Sequence, residues 1–345
     1  MAYFEEARFE QTRFKVIKES SLSEPVLSVR NLETTFKTKL GPVHAVNKVS
    51  YDIYQGQTLG IVGESGCGKS VTSFSLMRLI EPPGQVAGGQ VLLNGRDLLK
   101  LSEKEMEEVR GGEMAIIFQE PMTALNLVLT IGFQMDEQIK RHLKVTPKEA
   151  KARSIEMLSL VGIPSPADRY SSYPHQLSGG MRQRAMIAMA LSCNPKFLIA
   201  DEPTTALDVT IQAQILELFQ TLQEKLKMTV QFITHDLGVI SEISDRVLVM
   251  YAGHACEMAS TTELFNNPRH PYTAALIESR PRLGQRVERL RTIEGSVPAA
   301  MDLPPGCPFY NRCPRHLPEC AAVKPAMVPV GASSPGHEVA CFNPL

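Results

Sequence analysis

The chain has no excess of charge of one sign, since its 345 residues carry 36 Lys plus Arg and 37 Asp plus Glu. A global field that favours nucleic acid or an anionic membrane surface is therefore excluded. The sequence also has no N-terminal apolar segment of the kind found in secretion signals, and no apolar run long enough to cross a bilayer. We expect a chain that is soluble by itself and that works in the cytoplasm.

An internal repeat is also missing, and at this length two copies of a large domain are excluded. The length instead suits one large domain with an extension, or two modest domains. An apolar content of 43% is enough for a substantial core. The seven cysteines are poor disulfide candidates in a cytoplasmic protein, and four of them lie between residues 307 and 341.

A glycine-rich segment lies where a predicted strand turns into a predicted helix. An apolar run at residues 59–62 precedes it, and residues 71–78 follow it as a helix. The segment matches the pattern GxxxxGK[ST] and consists of Gly63, Glu64, Ser65, Gly66, Cys67, Gly68, Lys69 and Ser70. Its glycines let backbone N–H groups curl around an anion, and the helix N-terminus adds its positive end.

In a phosphate-binding loop of this type, Lys69 can reach the β- and γ-phosphates of a nucleotide, and the Ser70 hydroxyl can bind Mg²⁺. An accidental glycine-rich turn is the alternative. A chance match in a chain of this length is on the order of one in a hundred. The sequence therefore predicts a nucleotide-binding protein.

Polar side chains follow three predicted strands downstream of this loop. Asp201 and Glu202 come directly after the apolar residues 197–200, at the end of a strand where open α/β sheets bind ligands. Asp201 suits a water-mediated contact to Mg²⁺, and Glu202 can polarise an attacking water. His235 follows another strand and can touch a γ-phosphate, with a surface histidine as the alternative. Gln119 ends the strand at residues 114–118 and by itself indicates little.

A second glycine-containing segment, Ser178-Gly179-Gly180, lies directly before a helix rich in Ala and Met. It predicts a second anion-binding helix N-terminus. One chain rarely needs two such sites for one nucleotide. We therefore expect this surface to face the nucleotide of a neighbouring subunit.

The rest of the sequence indicates how the chain is organised outside these motifs. Residues 1–25 are predicted to be a tail, and short strands at residues 26–29, 34–36 and 49–53 predict an antiparallel sheet that can carry the adenine ring. Phe36 is the candidate for stacking on adenine, with an ordinary core phenylalanine as the alternative. Ser102 is predicted to cap a helix that ends near residue 109, with Glu105 three positions later. Long helices are predicted between about residues 119 and 190.

Taken together, these motifs occur in the order and approximate spacing of an ABC-type ATPase, and the chain resembles the nucleotide-binding subunit of an ABC importer. The resemblance spans about residues 26–258. It implies an α/β P-loop NTPase core with an antiparallel β subdomain, a helical insert at about residues 119–190, and an irregular, cysteine-bearing C-terminal extension at residues 259–345.

The resemblance also implies roles for the residues. Residues 63–70 form the Walker A loop and residues 197–201 the Walker B strand. Glu202 is the catalytic base, Gln119 senses Mg²⁺ and the attacking water, and His235 holds the γ-phosphate. Ser178, Gly179 and Gly180 complete the ATP site of the opposite subunit in a head-to-tail dimer, and Asp208 is also assigned to nucleotide binding. Met181 departs from the family signature, which usually has Gln at this position.

Three segments resemble the dipeptide and oligopeptide import ATPases, namely residues 119–126, 267–273 and 304–308. This likeness implies a subunit at the cytoplasmic face of the membrane that energises peptide uptake. The implied partners are two transmembrane permease subunits, a second ATPase in a heterodimer and, indirectly, an extracytoplasmic solute-binding protein. Import of nickel or another small solute, a soluble ABC ATPase acting on the ribosome or DNA, and an ATP-dependent scaffold are the alternatives.

The four clustered cysteines, in the spacing C-x5-C-x6-C-x20-C, are Cys307, Cys313, Cys320 and Cys341. Four thiolates can hold a [4Fe–4S] cluster or a tetrahedral zinc ion. The spacing lacks the paired C-x2-C hairpins of zinc ribbons, and members of the resembled subfamily carry an iron–sulfur cluster. We therefore expect a [4Fe–4S] cluster, with zinc and then no metal as alternatives, beside ATP and Mg²⁺ at the nucleotide site.

Overall fold

A computed structural model describes residues 24–205, 207–279, 292–298, 301–331 and 334–345. Nearly all of the predicted tail, and Ala206, lie outside these residues. The strands, in chain order, are β1 (Leu27–Thr38), β2 (Gly41–Ile53), β3 (Thr58–Val62), β4 (Gly84–Leu93), β5 (Arg96–Asp97), β6 (Met114–Ile117), β7 (Phe197–Asp201), β8 (Thr229–Ile233), β9 (Arg246–Tyr251), β10 (His254–Ser260), β11 (Val328–Pro329) and β12 (Glu338–Val339).

The helices begin directly after the phosphate loop and continue into the C-terminal extension. They are α1 (Lys69–Leu76), α2 (Glu103–Val109), α3 (Pro121–Ala124), α4 (Ile131–Leu143), α5 (Pro147–Leu160), α6 (Pro166–Tyr170), α7 (Gly179–Leu191), α8 (Val209–Leu226), α9 (Leu237–Ile243), α10 (Thr261–Asn266) and α11 (Pro271–Glu278). Helices α3 to α7 form the predicted helical insert. Within the described parts of the chain, no helix combines the length and apolar character needed to span a bilayer.

The first sheet is antiparallel, in the order β2-β1-β4-β5, and confirms the predicted antiparallel subdomain. The sequence predicted two short strands at residues 26–29 and 34–36, which was wrong. One strand, β1, covers both, and Asn31 adopts a left-handed conformation with φ 45° inside it. The pairing with β2 shifts register on either side of Leu32, so a bulge rather than a turn separates the two apolar groups.

The second sheet has the order β11-β12-β10-β9-β3-β8-β7-β6. Strands β9, β3, β8, β7 and β6 are parallel, which is the P-loop core. The sheet does not end at residues 251–253. The chain turns there into β10, which pairs antiparallel with β9, and β12 and β11 from the extension continue the sheet.

Strand β7 shows how this sheet separates two cores. Its side chains alternate between the faces of the sheet, as the period of a strand requires. Phe197 and Ile199 pack into the core shared with the antiparallel sheet. Leu198 and Ala200 pack into the core shared with the helical insert and the C-terminal extension. Because both faces are covered, the strand is apolar throughout, and its first polar side chain, Asp201, is at the carboxyl end.

Candidate active site

The phosphate loop is the tight turn from β3 into α1. Gly66 and Gly68 have φ values of 77° and 96°, which side chains rarely adopt. A Cβ atom on Gly68 would lie 2.3 Å from the Ala45 carbonyl oxygen, and one on Gly63 would lie 2.1 Å from the Met250 carbonyl oxygen. The loop therefore requires glycine both for its curvature and for its close approach to β2 and β9.

Lys69 is held inside the curve of this loop. Its side chain is buried, and its Nζ donates hydrogen bonds to the carbonyl oxygens of Gly63 at 2.8 Å and of Glu64 at 3.1 Å. Both acceptors belong to the loop itself, so the ammonium group is fixed within the loop. This position fits the predicted pairing of Lys69 with nucleotide phosphates.

Ser70 and Asp201 meet across the start of α1 and the end of β7. The Ser70 hydroxyl donates to Asp201 Oδ1 at 3.0 Å. Burial raises the pKa of Asp201 to about 6, against the opposing effect of the Ser70 hydrogen bond. A hydroxyl and a carboxylate at this separation are a donor set that fits Mg²⁺, which prefers oxygen ligands. The structure therefore brings together the two residues predicted to position Mg²⁺.

Glu202 follows Asp201 and is surrounded by hydrogen-bonding groups. Its backbone has φ 45°, and its N–H donates to the Ile233 carbonyl at 2.9 Å, which fixes the direction of the side chain. Its Oε2 lies 3.2 Å from Gln119 Nε2, 3.3 Å from His235 Nδ1 and 2.9 Å from Thr205 Oγ1. The carboxylate is only 13% exposed, whereas the His235 side chain is 59% exposed.

Gln119 and His235 thus meet at the Glu202 carboxylate. The three residues were predicted separately and come from three different strand ends. Thr205 also orients this carboxylate and is not among the residues predicted from the sequence. A hydroxyl residue three positions after Glu202 was the available signal, because the turn that follows a strand returns such a side chain towards it. An oriented carboxylate beside the Ser70–Asp201 pair can accept a proton from a water that attacks a phosphate.

The predicted second anion site lies at the start of α7. Ser178 caps this helix, and its Oγ accepts from the Met181 N–H at 3.3 Å. Gly180 packs against Ile211 of α8, and Asp208 caps α8 by accepting from the Ile211 N–H at 3.0 Å. A Cβ atom on Gly179 would meet no atom within 4 Å. The two helix N-termini therefore lie side by side, and their role at the site of a facing subunit stays a prediction.

Phe36 lies within β1, opposite Val43 of β2 and Gly84 of β4. It is half-buried, and a Cβ atom on Gly84 would lie 2.5 Å from its ring. One edge of the ring therefore packs on β4. That Phe36 stacks on adenine stays a prediction, and so does the alternative that it is an ordinary core residue.

The four clustered cysteines line one pocket together with His270 and His316: Cys307, Cys313, Cys320 and Cys341. The Cys307 N–H donates to the Cys320 carbonyl at 2.8 Å, and burial raises the pKa of Cys307 to about 11. In the parts of the chain that the structure describes, no group of three or more His, Cys, Asp or Glu side chains is arranged to hold a metal ion. The predicted metal centre is therefore not confirmed.

Two protein families match different parts of the chain. The family described as ABC transporter matches residues 46–205. The family described as oligopeptide/dipeptide transporter, C-terminal region, matches residues 256–320. The second match begins in β10 and includes three of the four clustered cysteines.

Curated relatives align with almost the whole chain. The dipeptide transport ATP-binding protein DppD of Bacillus subtilis is 52% identical over 320 residues, which cover 92% of this chain and 95% of the relative. The protein of the same name from Escherichia coli is 48% identical, with 93% and 97% covered. The oligopeptide transport ATP-binding protein AppD of Bacillus subtilis is also 48% identical, with 92% and 96% covered.

A solved dimeric structure of a bacterial ABC transporter cassette superposes with a TM-score of 0.61 at 27% identity. It covers 68% of this chain and 98% of the cassette, so the cassette has no counterpart for much of the remaining sequence. The phosphate loop and Glu202 both lie within residues 46–205, which the ABC transporter family matches. The chain therefore belongs to the ABC ATPases, in the family of the dipeptide and oligopeptide transport ATP-binding subunits.

Proposed function

We propose that this chain hydrolyses ATP to energise the uptake of dipeptides or oligopeptides through two transmembrane permease subunits. It would act at the cytoplasmic face of the membrane, paired with a second, homologous ATPase and served by an extracytoplasmic solute-binding protein. The observation that carries the ATPase part is the convergence of Gln119, His235 and Thr205 on the Glu202 carboxylate. The match of residues 256–320 to the peptide transporter C-terminal region supports the peptide part.

The loop and its lysine bind the triphosphate. Lys69 and the loop amides neutralise phosphate charge, and Ser70 with Asp201 would hold Mg²⁺. When bound, Mg²⁺ neutralises charge on the β- and γ-phosphates. Phe36 is the residue that we assign to the adenine ring.

Glu202 acts as the general base. Because Gln119 and Thr205 donate to one of its oxygens, the carboxylate is held in one orientation beside the phosphate loop. It accepts a proton from the water that attacks the γ-phosphate in line with the leaving oxygen. His235, the most exposed member of the group, is placed to contact the γ-phosphate.

Two such chains would face each other head to tail. The start of α7, with Ser178, Gly179 and Gly180, would then contact the nucleotide of the opposite subunit, and Asp208 would lie beside it. This arrangement is supported by the exposed, uncrowded Gly179 and by the dimeric state of the solved cassette. We assign residues 26–258 to the ATPase domain and residues 259–345 to the extension.

We propose a [4Fe–4S] cluster as the cofactor of the extension, bound by the four cysteines that line one pocket. Each thiolate of such a cluster binds a different iron, so the sulfur atoms stay further apart than around one zinc ion. The cysteine spacing lacks the paired C-x2-C hairpins of zinc ribbons, which is why we propose the cluster rather than zinc. The cluster would cross-link the extension, whose described residues contain little regular structure.

The metal assignment is tested by purifying the chain without oxygen. We expect a brown protein with broad absorption at about 400 nm. Cys320→Ser should lose this absorption, whereas Cys193→Ser, a buried cysteine outside the pocket, should keep it. A colourless wild-type protein with stoichiometric zinc would contradict the assignment.

The transported solute is tested by uptake into cells that lack this chain. Cells that regain the wild-type chain should accumulate a radiolabelled dipeptide, and cells with Lys69→Met should not, because the phosphate loop has lost its cation. The same cells should show equal uptake of radiolabelled Ni²⁺ with either chain. Nickel uptake that depends on Lys69, without peptide uptake, would replace the peptide assignment with the nickel alternative.

A further inference from the structure

Two side chains of the C-terminal extension bind one residue of the phosphate loop, Glu64. The Glu64 N–H donates to the Tyr272 hydroxyl at 2.9 Å. The two terminal nitrogens of Arg312 donate to the two carboxylate oxygens of Glu64, at 2.7 and 3.1 Å. This is a bidentate guanidinium–carboxylate pair, which is stronger and more directional than a single contact.

Arg312 is itself fixed in place. Its other three N–H groups donate to the Glu294 carbonyl at 2.9 Å, the Ile293 carbonyl at 3.2 Å and the Tyr251 hydroxyl at 3.3 Å. All five donors of the guanidinium are therefore used. Only 5% of the side chain is exposed, so solvent screens the pair with Glu64 weakly. The arginine is a preorganised clamp rather than a surface side chain that happens to lie near a carboxylate.

Glu64 passes this restraint on to the group that binds phosphate. Its carbonyl oxygen accepts from Lys69 Nζ at 3.1 Å and from the Cys67 N–H at 3.2 Å. The N–H, the carbonyl and the carboxylate of Glu64 are thus all engaged. A change in the position of Arg312 or Tyr272 would move the peptide on which Lys69 rests.

Charge gives the clamp a second effect. The Glu64 carboxylate belongs to the loop that receives a triphosphate, and like charges in one site repel each other. Arg312 is the cation paired with this carboxylate. Without it, an unpaired carboxylate beside the phosphates would oppose nucleotide binding.

We infer that Arg312 and Tyr272 are positioning residues for ATP binding, through which the C-terminal extension shapes and charge-balances the phosphate loop. The inference deepens the proposed ATPase function and rests on it. It assigns to the extension a part in setting the affinity for ATP. Arg312 directly precedes Cys313 of the cysteine pocket, so one segment contributes both to the contact with Glu64 and to this pocket.

The test compares ATP binding and hydrolysis by full-length variants. Arg312→Met should weaken ATP binding about tenfold and raise KM equally, while kcat at saturating ATP changes by less than about twofold. Combining Arg312→Met with Glu64→Gln should recover at least about a third of the wild-type affinity, because no unpaired carboxylate is left. Arg96→Met is the matched control, since it breaks an exposed ion pair with Glu113 away from the loop.

Tyr272→Phe is the second variant, chosen because it keeps the buried ring and removes only the hydroxyl. It should weaken ATP binding about threefold with an unchanged circular dichroism spectrum. An unchanged Kd in folded Arg312→Met, or a double variant that binds no better than Arg312→Met, would overturn the inference. Failure of the uptake assay would bear on the solute alone, whereas this comparison of Kd bears on the extension.

Discussion

Replacing Glu202 with Gln removes one negative charge from the active site and keeps the shape of the side chain. The amide oxygen can still accept from Gln119 and Thr205, so the fold and the phosphate loop should be unaffected. The amide cannot accept a proton from water. Loss of a general base costs about 100- to 10,000-fold in rate, which corresponds to about 3 to 5 kcal/mol of transition-state stabilisation.

The assay pairs phosphate release under saturating ATP with direct measurement of ATP binding. Glu202→Gln should bind ATP at least as tightly as the wild type, because a carboxylate that repels the γ-phosphate has been neutralised. Glu224→Gln, an exposed acid on α8, is the control and should hydrolyse ATP at the wild-type rate. Near-normal turnover by Glu202→Gln would refute the assignment of the base, and so would loss of ATP binding in a folded variant.

Two further predictions concern stability. Burial, and then the Lys324 ammonium, lowers the pKa of His254 to about 4, whereas an unfolded histidine takes up its proton at about 6.5. His254 should therefore cost the fold on the order of 3 kcal/mol of stability as the pH falls from about 6.5 to 4. In urea unfolding, the stability of His254→Gln should depend less steeply on pH than that of the wild type, and an equal pH dependence of the two would contradict this. The fully buried Glu257 accepts from the N–H groups of Arg269 and His270 and pairs with His337 at 2.7 Å. Glu257→Gln should lower the free energy of unfolding by about 3 kcal/mol. The control Glu107→Gln, at an exposed ion pair, should lower it by less than about 1 kcal/mol. Similar losses in the two variants would contradict the role of the buried pair.

The local motifs were predictable because their chemistry lies within a few residues. The cap of α2 is an example, since Glu105 Oε2 accepts from the Ser102 N–H at 2.7 Å and the Ser102 side chain accepts in return. The phosphate loop is another, because its glycines specify the turn from β3 into α1. The convergence of strand-end residues on Glu202 followed from the common edge of a parallel sheet.

The bulge in β1 was missed because it depends on both neighbours of the strand. Asn31 is of a residue type that favours turns, and the short apolar groups on either side of it were predicted as separate strands. Pairing with β2 on one side and β4 on the other keeps the chain extended across it. A local signal was thus overridden by sheet contacts that the sequence does not display.

The contacts of the extension were beyond sequence reasoning altogether. Arg312 and Glu64 are 248 residues apart, and no periodic pattern connects them. The strands β11 and β12 are two residues each, which is too short for an alternating pattern to be recognised. The cysteine spacing did predict that four thiols share one place, but the spacing alone leaves the geometry around a metal open.

Purification of the tagged chain from detergent-solubilised native membranes tests the central claim most directly. The proteins that copurify are identified by mass spectrometry, and a strain without the tag serves as the control. We predict recovery of two multi-span membrane proteins and a second ATPase in stoichiometric amounts. Recovery with ribosomes, or without any membrane protein, would contradict the transporter assignment while leaving the ATPase chemistry of Glu202 intact.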